Sequence, residues 1–334
     1  MNYRWKIVVT DYEYPDLSYE EAVFADLGEG AFEFVKVQCR TEEEVIAAAA
    51  NADALMSQYA PIGSRVIKRL ERCKVISRYG VGYDVVDVES ATAKGICVAN
   101  VPDYCMDEVS DHTLALLLAW NRKIPQYNRH IRDGHWNYKA ETPITRIRGQ
   151  KLGLIGFGRI PRAVASKARA FGFEVLVYDP FVSSDIVRQS GCEMAELEQL
   201  MRESDFVSVH TPLNNHTRGF MNAGLLRCMK KTAFLINTSR GPIVNEDDLV
   251  RALQEGWLAG AALDVIEQEP IRPGHPFLTM DNVILTPHVA WYSEQSQAEL
   301  RTKCATNVLQ VLQGYYPTYL VNPEVKQRTE LEEI

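Results

Sequence analysis

The stretch Leu152-Gly153-Leu154-Ile155-Gly156-Phe157-Gly158-Arg159-Ile160-Pro161 decides the fold. Its aliphatic residues up to Ile155 read as a buried strand, and Ile160, Val164, Ala168 and Phe171 then recur at helical spacing. Strand, glycine turn and helix, in that order, are the context a dinucleotide fingerprint requires. Gly156 permits the tight turn. Gly158 lets backbone N–H groups approach a pyrophosphate at the helix N-terminus, where the macrodipole favours an anion. Pro161 replaces the third fingerprint glycine; a first-turn proline loses only an N–H that has no helical partner, but it adds bulk where helix and strand usually pack closely. Asp179 ends the next predicted strand, 23 positions after Gly156. A carboxylate there accepts from ribose hydroxyls and repels a 2′-phosphate, which favours NAD over NADP. Taken alone, Asp179 is also an ordinary turn residue before Pro180, and Gly-x-Gly an ordinary turn.

Outward from this motif, short β-branched runs alternate with amphipathic stretches, the pattern of parallel α/β sheets. On the N-terminal side, strands are predicted at residues 6–10, 32–37, 54–58, 74–78 and 97–101, with helices at 19–27, 42–50, 64–72 and 87–94. Five such strands suit a flavodoxin-like layer. A helix over 107–122 is apolar nearly all round and is limited by Pro125, so it reads as deeply buried or as an oligomer contact. The second series predicts six strands, at 151–155, 174–178, 206–210, 233–237, 261–264 and 283–285, with helices at 159–171, 195–202, 222–229 and 246–255. That count matches a doubly wound nucleotide fold. A last amphipathic helix is predicted near 293–313, then an extended tail over 319–325 and a polar, frayed end over 327–334. The fold class expected is therefore α/β, with two Rossmann-like or flavodoxin-like domains built on doubly wound parallel sheets.

Composition bounds the rest. The chain has 334 residues, enough for about two domains. With 36 Lys+Arg against 44 Asp+Glu, its formal charge is −8, which argues against non-specific binding to nucleic acid or an anionic membrane. The longest apolar run, Leu114 to Trp120, is far below the ~20 residues that span a bilayer, and the N-terminus has no signal-peptide core. Seven cysteines with no Cys-x-x-Cys pair suit reduced thiols better than a disulfide framework or a zinc site, so no metal is expected and a cytoplasmic location is.

Three further segments place a polar residue shortly past a predicted strand end, where open α/β sheets bind ligands: Asn237-Thr238-Ser239-Arg240-Gly241, Asp264-Val265-Ile266-Glu267-Gln268-Glu269, and Thr286-Pro287-His288-Val289-Ala290-Trp291. Hydride transfer to a carbonyl needs a cation to polarise the oxygen, an acid to protonate the alkoxide, and a group to tune that acid. Arg240 suits the first through its planar fork, His288 the second because imidazole titrates near neutrality, and Glu269 the third by orienting the ring and favouring its charged form. Singly, each residue has an ordinary reading: a solvated arginine, a surface glutamate, a satisfied structural histidine. Their joint occurrence at successive strand ends favours chemistry.

These segments, with Ser77-Arg78-Tyr79-Gly80-Val81-Gly82-Tyr83-Asp84, Asn100-Val101-Pro102 and Val207-Ser208-Val209-His210-Thr211-Pro212, resemble the D-isomer-specific 2-hydroxyacid dehydrogenase family over about residues 5–325. The resemblance implies that Arg240, Glu269 and His288 are the catalytic residues. It implies a substrate-binding domain of residues 1–103 plus 290–334, an NAD-binding domain of residues 104–289, and a cleft between them that closes on substrate. Backbone N–H groups around Gly80, Val81 and Gly82 would hold the substrate carboxylate, with Arg78 adding charge. Thr211, Thr217, Thr238, Ser239, Asp264 and the Arg159-Ile160 pair would line the cofactor site. His288-Val289-Ala290-Trp291-Tyr292-Ser293-Glu294-Gln295 is similar to the C-terminal-binding-protein branch, in which Trp291 would wall the substrate pocket; the alternative for Trp291 is packing at a hinge. Cys105 departs from a polar residue common near the cofactor.

The expected function is NAD-dependent interconversion of a small anionic 2-oxo acid and its D-2-hydroxy acid. The alternatives are an NAD(H)-responsive, non-catalytic corepressor-type protein, or a phosphoglycerate dehydrogenase without its regulatory domain, for which no C-terminal extension is seen. Formate dehydrogenase is disfavoured, since that branch carries Gln in place of Glu269. A homodimer through residues 105–145 is expected.

Overall fold

The computed structural model describes residues 3–28 and 30–333. The expected domain ends at residues 1, 2 and 334 lie outside the described residues. The chain divides into two compact units, Met1–Tyr104 with Ser293–Ile334, and Cys105–Tyr292.

The first unit holds five parallel strands, β1 (Trp5–Val9), β2 (Phe32–Lys36), β3 (Ala54–Ser57), β4 (Val75–Arg78) and β5 (Cys97–Ala99), in the order β2-β1-β3-β4-β5. This is the flavodoxin-like order. The helices α1 (Ser18–Phe24), α2 (Glu42–Ala49), α3 (Ser64–Arg69) and α4 (Val88–Ala93) alternate with the strands. Thr41 opens α2 with a capping box closed by Glu44, which satisfies two amides the first helical turn leaves open. Val45, Ala49, Val66, Ile67 and Ala91 from α2–α4 then pack with Val8, Leu55, Ile76 and Val98 of the sheet.

The chain's end joins this unit through a helix that buries Leu300, Cys304, Ala305, Val308 and Leu312, together with a set of buried polar contacts. Arg301, in the helix Glu294–Gln313, is 2% exposed and forks onto the buried Glu20 of α1, with Nη2 at 2.8 Å and Nε at 3.0 Å from its oxygens. The Tyr79 hydroxyl donates to the same carboxylate at 3.0 Å. A buried carboxylate is tolerated only with such donors. Asn322 then accepts from Val98 N–H at 2.8 Å and donates to Ile96 carbonyl at 3.0 Å, in place of a further strand. The polar end is not frayed: Pro323–Gln327 forms a 3-10 turn, Tyr316 N–H donates to Glu332 carbonyl and Glu332 N–H to that of Gly314, both at 2.9 Å. Charge patterning suggested solvation there, and these backbone pairs override it.

The second unit carries seven parallel strands: β6 (Lys151–Ile155), β7 (Glu174–Tyr178), β8 (Glu193–Met194), β9 (Phe206–Val209), β10 (Phe234–Asn237), β11 (Gly260–Leu263) and β12 (Val283–Leu285). Their order, β12-β11-β10-β9-β6-β7-β8, is doubly wound with its switch point between β6 and β9. The sequence reading missed β8 and the helix Ser184–Gln189 before it, because a two-residue polar edge strand has no periodicity to detect. Helices α5 (Met106–Asn121), α6 (Ile124–Arg132), α7 (Arg159–Ala170), α8 (Ser184–Gln189), α9 (Leu197–Glu203), α10 (Ala223–Cys228) and α11 (Glu246–Gln254) complete the unit. α6 was also missed: Pro125 ends nothing but sits in its first turn, after Lys123 breaks the path at φ +56°.

Two cores flank this sheet, one joining Leu200, Met201, Leu226, Leu249 and Ala252 to Ile155 and Leu235. The other joins Leu117, Trp120, Val164 and Ala168 to Leu154, Phe157 and Phe234. Trp120 stacks on Phe234 at 4.4 Å between ring centroids, which anchors α5 on the sheet. Trp120→Ala is expected to destabilise this unit by about 3–5 kcal/mol, read as a lower melting transition in calorimetry; an unchanged transition would mean that α5 is held by other contacts.

Candidate active site

The glycine turn lies at the switch point. Gly156 takes φ +95°, and a Cβ there would fall 2.9 Å from the His210 carbonyl oxygen, so the β6 turn and the end of β9 touch through backbone. Gly158 caps α7 with no side-chain hydrogen bond, and its missing Cβ faces open space. The first-turn amides around Arg159 and Ile160 therefore point outward without a protein partner from a capping side chain. Pro161 is buried inside α7, in its first turn, so the third-glycine position holds a proline without breaking the helix. Asp179 fixes the turn from β7: its carboxylate accepts from Phe157 N–H and Phe181 N–H, each at 2.8 Å. Beside Gly156, the Thr211 Oγ1 is buried and has no hydrogen-bond partner among the described residues. Open helix amides, a glycine gap, a fixed carboxylate and an orphan hydroxyl together fit a dinucleotide's phosphates and ribose.

The three chemistry-bearing segments follow β10, β11 and β12, which are neighbours in the sheet. Asn237 organises the first: its Nδ2 donates to Arg240 carbonyl and its Oδ1 accepts from Ser239 N–H, both at 3.0 Å. Ser239 Oγ donates to the Thr211 carbonyl, tying this turn to the end of β9. Gly241 approaches the second segment so closely that a Cβ would lie 1.8 Å from the Ile266 carbonyl oxygen. Glu269 folds back on its own segment, Oε1 accepting from Ile266 N–H at 3.3 Å, and its Oε2 lies 2.7 Å from His288 Nδ1. A carboxylate there accepts from a proton-bearing Nδ1 and so fixes the tautomer and orientation of the ring. His288 has φ +52°, a left-handed backbone rare outside glycine and characteristic of strained functional positions.

Several expected residues are placed differently from a simple lining. The carboxylate of Asp264 is 2% exposed and is spent on the histidine loop, accepting from Thr286 Oγ1, Val289 N–H and Ala290 N–H. Thr217 commits its hydroxyl to its own loop, donating to Pro212 carbonyl at 2.6 Å and accepting from Asn214 N–H at 2.8 Å. Thr238 Oγ1 lies 3.1 Å from Thr113 Oγ1 of α5. Trp291 is half-buried and packs edge-on against Tyr292 at 5.6 Å. Arg78, Gly80, Val81 and Gly82 belong to the other unit. There the buried Arg78 side chain lies over Gly80, whose N–H turns back to the Arg78 carbonyl, and the Val81 and Gly82 amides donate to no described protein group.

Sequence reading missed His112, Thr113 and Thr286, and gave His210 no role. The first two lie where the polar start of α5 meets its apolar half, a position with no distinct signal in the sequence. Among the described residues no cluster of His, Cys, Asp and Glu is placed to hold a metal ion, and no helix is long and apolar enough to cross a membrane.

A doubly wound unit with an open glycine turn and a carboxylate–imidazole pair on its strand ends defines a dinucleotide-dependent oxidoreductase. Residues 114–290 match the family described as D-isomer specific 2-hydroxyacid dehydrogenase, NAD binding domain. A glyoxylate reductase of Korarchaeum cryptofilum is 40% identical over 85% of this chain and 87% of its own. Among solved structures, an NADPH-dependent glyoxylate/hydroxypyruvate reductase from Sinorhizobium meliloti, in complex with NADP and malonate, is 30% identical with a TM-score of 0.84, covering 98% of both chains. A D-lactate dehydrogenase from Aquifex aeolicus, complexed with NAD and lactic acid, is 27% identical with a TM-score of 0.83, covering 97% of this chain and 98% of that one. The chain belongs to the D-isomer-specific 2-hydroxyacid dehydrogenase family. It is an NAD(P)-dependent oxidoreductase that exchanges a hydride with small 2-oxo and 2-hydroxy acids, acting on CH–OH donors. The similar structures include one with NAD and one with NADP, so the likeness alone does not select the cofactor.

His210 follows β9, where its carbonyl meets the Gly156 turn. Burial pulls the His210 imidazole down to about 3, while its Nε2 pairs with Ser208 Oγ at 2.8 Å. The unfolded chain takes up this proton near pH 6.5, the folded protein only near 3, so folding loses stability as pH falls through that window. His210→Gln is expected to flatten part of the fall in melting temperature between pH 7 and pH 5; an unaltered slope would count against a neutral, buried His210.

Proposed function

We propose that the protein is an NAD-linked reductase of the smallest 2-oxo acids, glyoxylate and hydroxypyruvate, yielding the D-hydroxy acid where the product is chiral. The observation that carries this reading is the Glu269–His288 pair at 2.7 Å, on the sheet edge that also bears Arg240. A relative 40% identical bears the name glyoxylate reductase, which favours that substrate class. Arg240 holds the substrate carboxylate and polarises the carbonyl through its guanidinium fork. His288 delivers the proton to the developing alkoxide from Nε2, while Glu269 holds the ring and balances its charge. The cofactor, when bound, supplies or accepts the hydride.

Gly156, Gly158, Arg159, Ile160, Asp179, Thr211, Thr238 and Ser239 hold that cofactor in this reading. Thr217 and Asp264 act one step away, by shaping the loops. Asp179 favours NAD because its carboxylate is fixed in place by two amides and would repel a 2′-phosphate. The unit built from both chain ends is assigned to substrate, with the Val81 and Gly82 amides and Arg78 receiving the carboxylate; Trp291 is assigned to substrate as well. A homodimer through residues 105–145 would cover Trp136 and Tyr138, which are 90% and 76% exposed.

NADH oxidation with a panel of glyoxylate, hydroxypyruvate and pyruvate tests this. Wild type is expected to turn over the first two faster, and His288→Ala to lower kcat by roughly 100-fold or more. No turnover by wild type, or equal rates for the variant, would sink the proposal. Asp179→Ser is expected to shift preference toward NADPH by about tenfold, roughly 1.4 kcal/mol; unchanged preference would remove Asp179 from cofactor selection. Light scattering at the single-chain mass of 37.8 kDa would contradict the dimer.

A further inference from the structure

We propose that His112 and Thr113, neighbours on α5, are positioning residues that brace the two loops carrying His288 and Arg240. The proposal rests on the roles given to those two residues above. Adjacent residues on a helix diverge by about 100°, so one helix can address two loops at once.

His112 addresses the histidine loop. Its Nε2 lies 3.0 Å from Thr286 Oγ1 and 3.6 Å from Asp264 Oδ1. Thr286 spends its only hydroxyl proton on Asp264 Oδ1, at 2.6 Å. Its oxygen is then left to accept, so the His112 nitrogen facing it carries the hydrogen. Asp264, locked in this way, receives Val289 N–H and Ala290 N–H at 2.9 Å each, and its carbonyl receives His288 N–H at 2.8 Å. The left-handed backbone of His288 is held from both sides. Without the His112 donor, Thr286 is free to rotate off Asp264, and a buried carboxylate loses one of the donors that keep it there.

Thr113 addresses the arginine loop. Its hydroxyl proton goes to Val109 carbonyl at 2.8 Å, so its oxygen accepts from Thr238 Oγ1 at 3.1 Å. Thr238 lies in the turn that Asn237 organises just before Arg240. One turn of α5 thereby fixes both the proton donor's loop and the cation's loop, and sets the two in register.

The test compares His112→Leu, His112→Gln and His112→Asn. Glutamine can place an N–H near the original Nε2, leucine offers none, and asparagine is too short to reach. Two readouts are needed: amide hydrogen exchange at Val289 and Ala290 in the protein free of cofactor and substrate, and steady-state kinetics with NADH. Leucine and asparagine are expected to speed exchange at both amides by about tenfold. They are expected to lower kcat by roughly tenfold while KM for NADH moves less than about twofold. Glutamine restores both readouts toward wild type. Wild-type exchange in the asparagine variant, or a glutamine variant as impaired as leucine, would overturn the brace and leave His112 a packing residue. If leucine does not fold, asparagine and glutamine still decide the matter. Exchange is read without turnover, so it judges the brace even where the assigned substrates fail.

Discussion

The carboxylate of Asp264 is the constraint on which the site depends. At 2% exposure it cannot be solvated by water, and a buried charge of this kind is costly unless donors surround it. The donors available are the amides of Val289 and Ala290 and the hydroxyl of Thr286. Satisfying them forces the chain after β12 to fold back over the end of β11. That return places His288 in a left-handed conformation and brings Nδ1 within 2.7 Å of Glu269, whose own segment leaves β11 a few residues later. Strain at the histidine and burial of the aspartate are thus two sides of one arrangement, and neither would persist without the other.

How much of this was legible follows from how local each feature is. The glycine turn was legible because strand, turn and helix are contiguous, and Asp179 because the next strand ends beside the first. The five strands of the first unit and the six longer strands of the second were legible from β-branched runs. β8, α6 and α8 were not, since each is short or polar and is held by its neighbours rather than by its own periodicity. The parts of the site were visible as residue types past strand ends. Their pairing was expected from the chemistry, and the fold supplies its physical cause: Glu269 and His288 meet at 2.7 Å because β11 and β12 are adjacent. Asp264 illustrates the limit most directly. The family resemblance implied a cofactor contact for it, and only the fold shows its oxygens filled by the loop behind the histidine.

His112 and Thr113 were illegible for a related reason. On α5 they close the polar run that begins at Asp107, just before the apolar stretch from Leu114, and from sequence they read as more of that solvated helix start. Their partners Thr286 and Thr238 lie 174 and 125 residues away in the chain. A parallel sheet brings such distant segments to one edge, and a helix laid beside that edge can touch several at once. The inward polar residues of such a helix are then explained by the loops they must reach.

The charge balance takes on a different meaning at this scale. A net −8 describes the surface as a whole and would repel a small organic acid. Locally, the parallel strands end in loops and helix starts whose amides and arginines carry positive potential, as at the first turn of α7 and at Arg240. In the other unit, the Val81 and Gly82 amides and Arg78 repeat the same chemistry at the end of β4. In the proposed reading, each unit offers one strand end to an anion. A molecule with a carboxylate and a cofactor with a pyrophosphate need just such sites, and the acidic remainder of the surface does not oppose them at distances beyond about 10 Å in physiological salt.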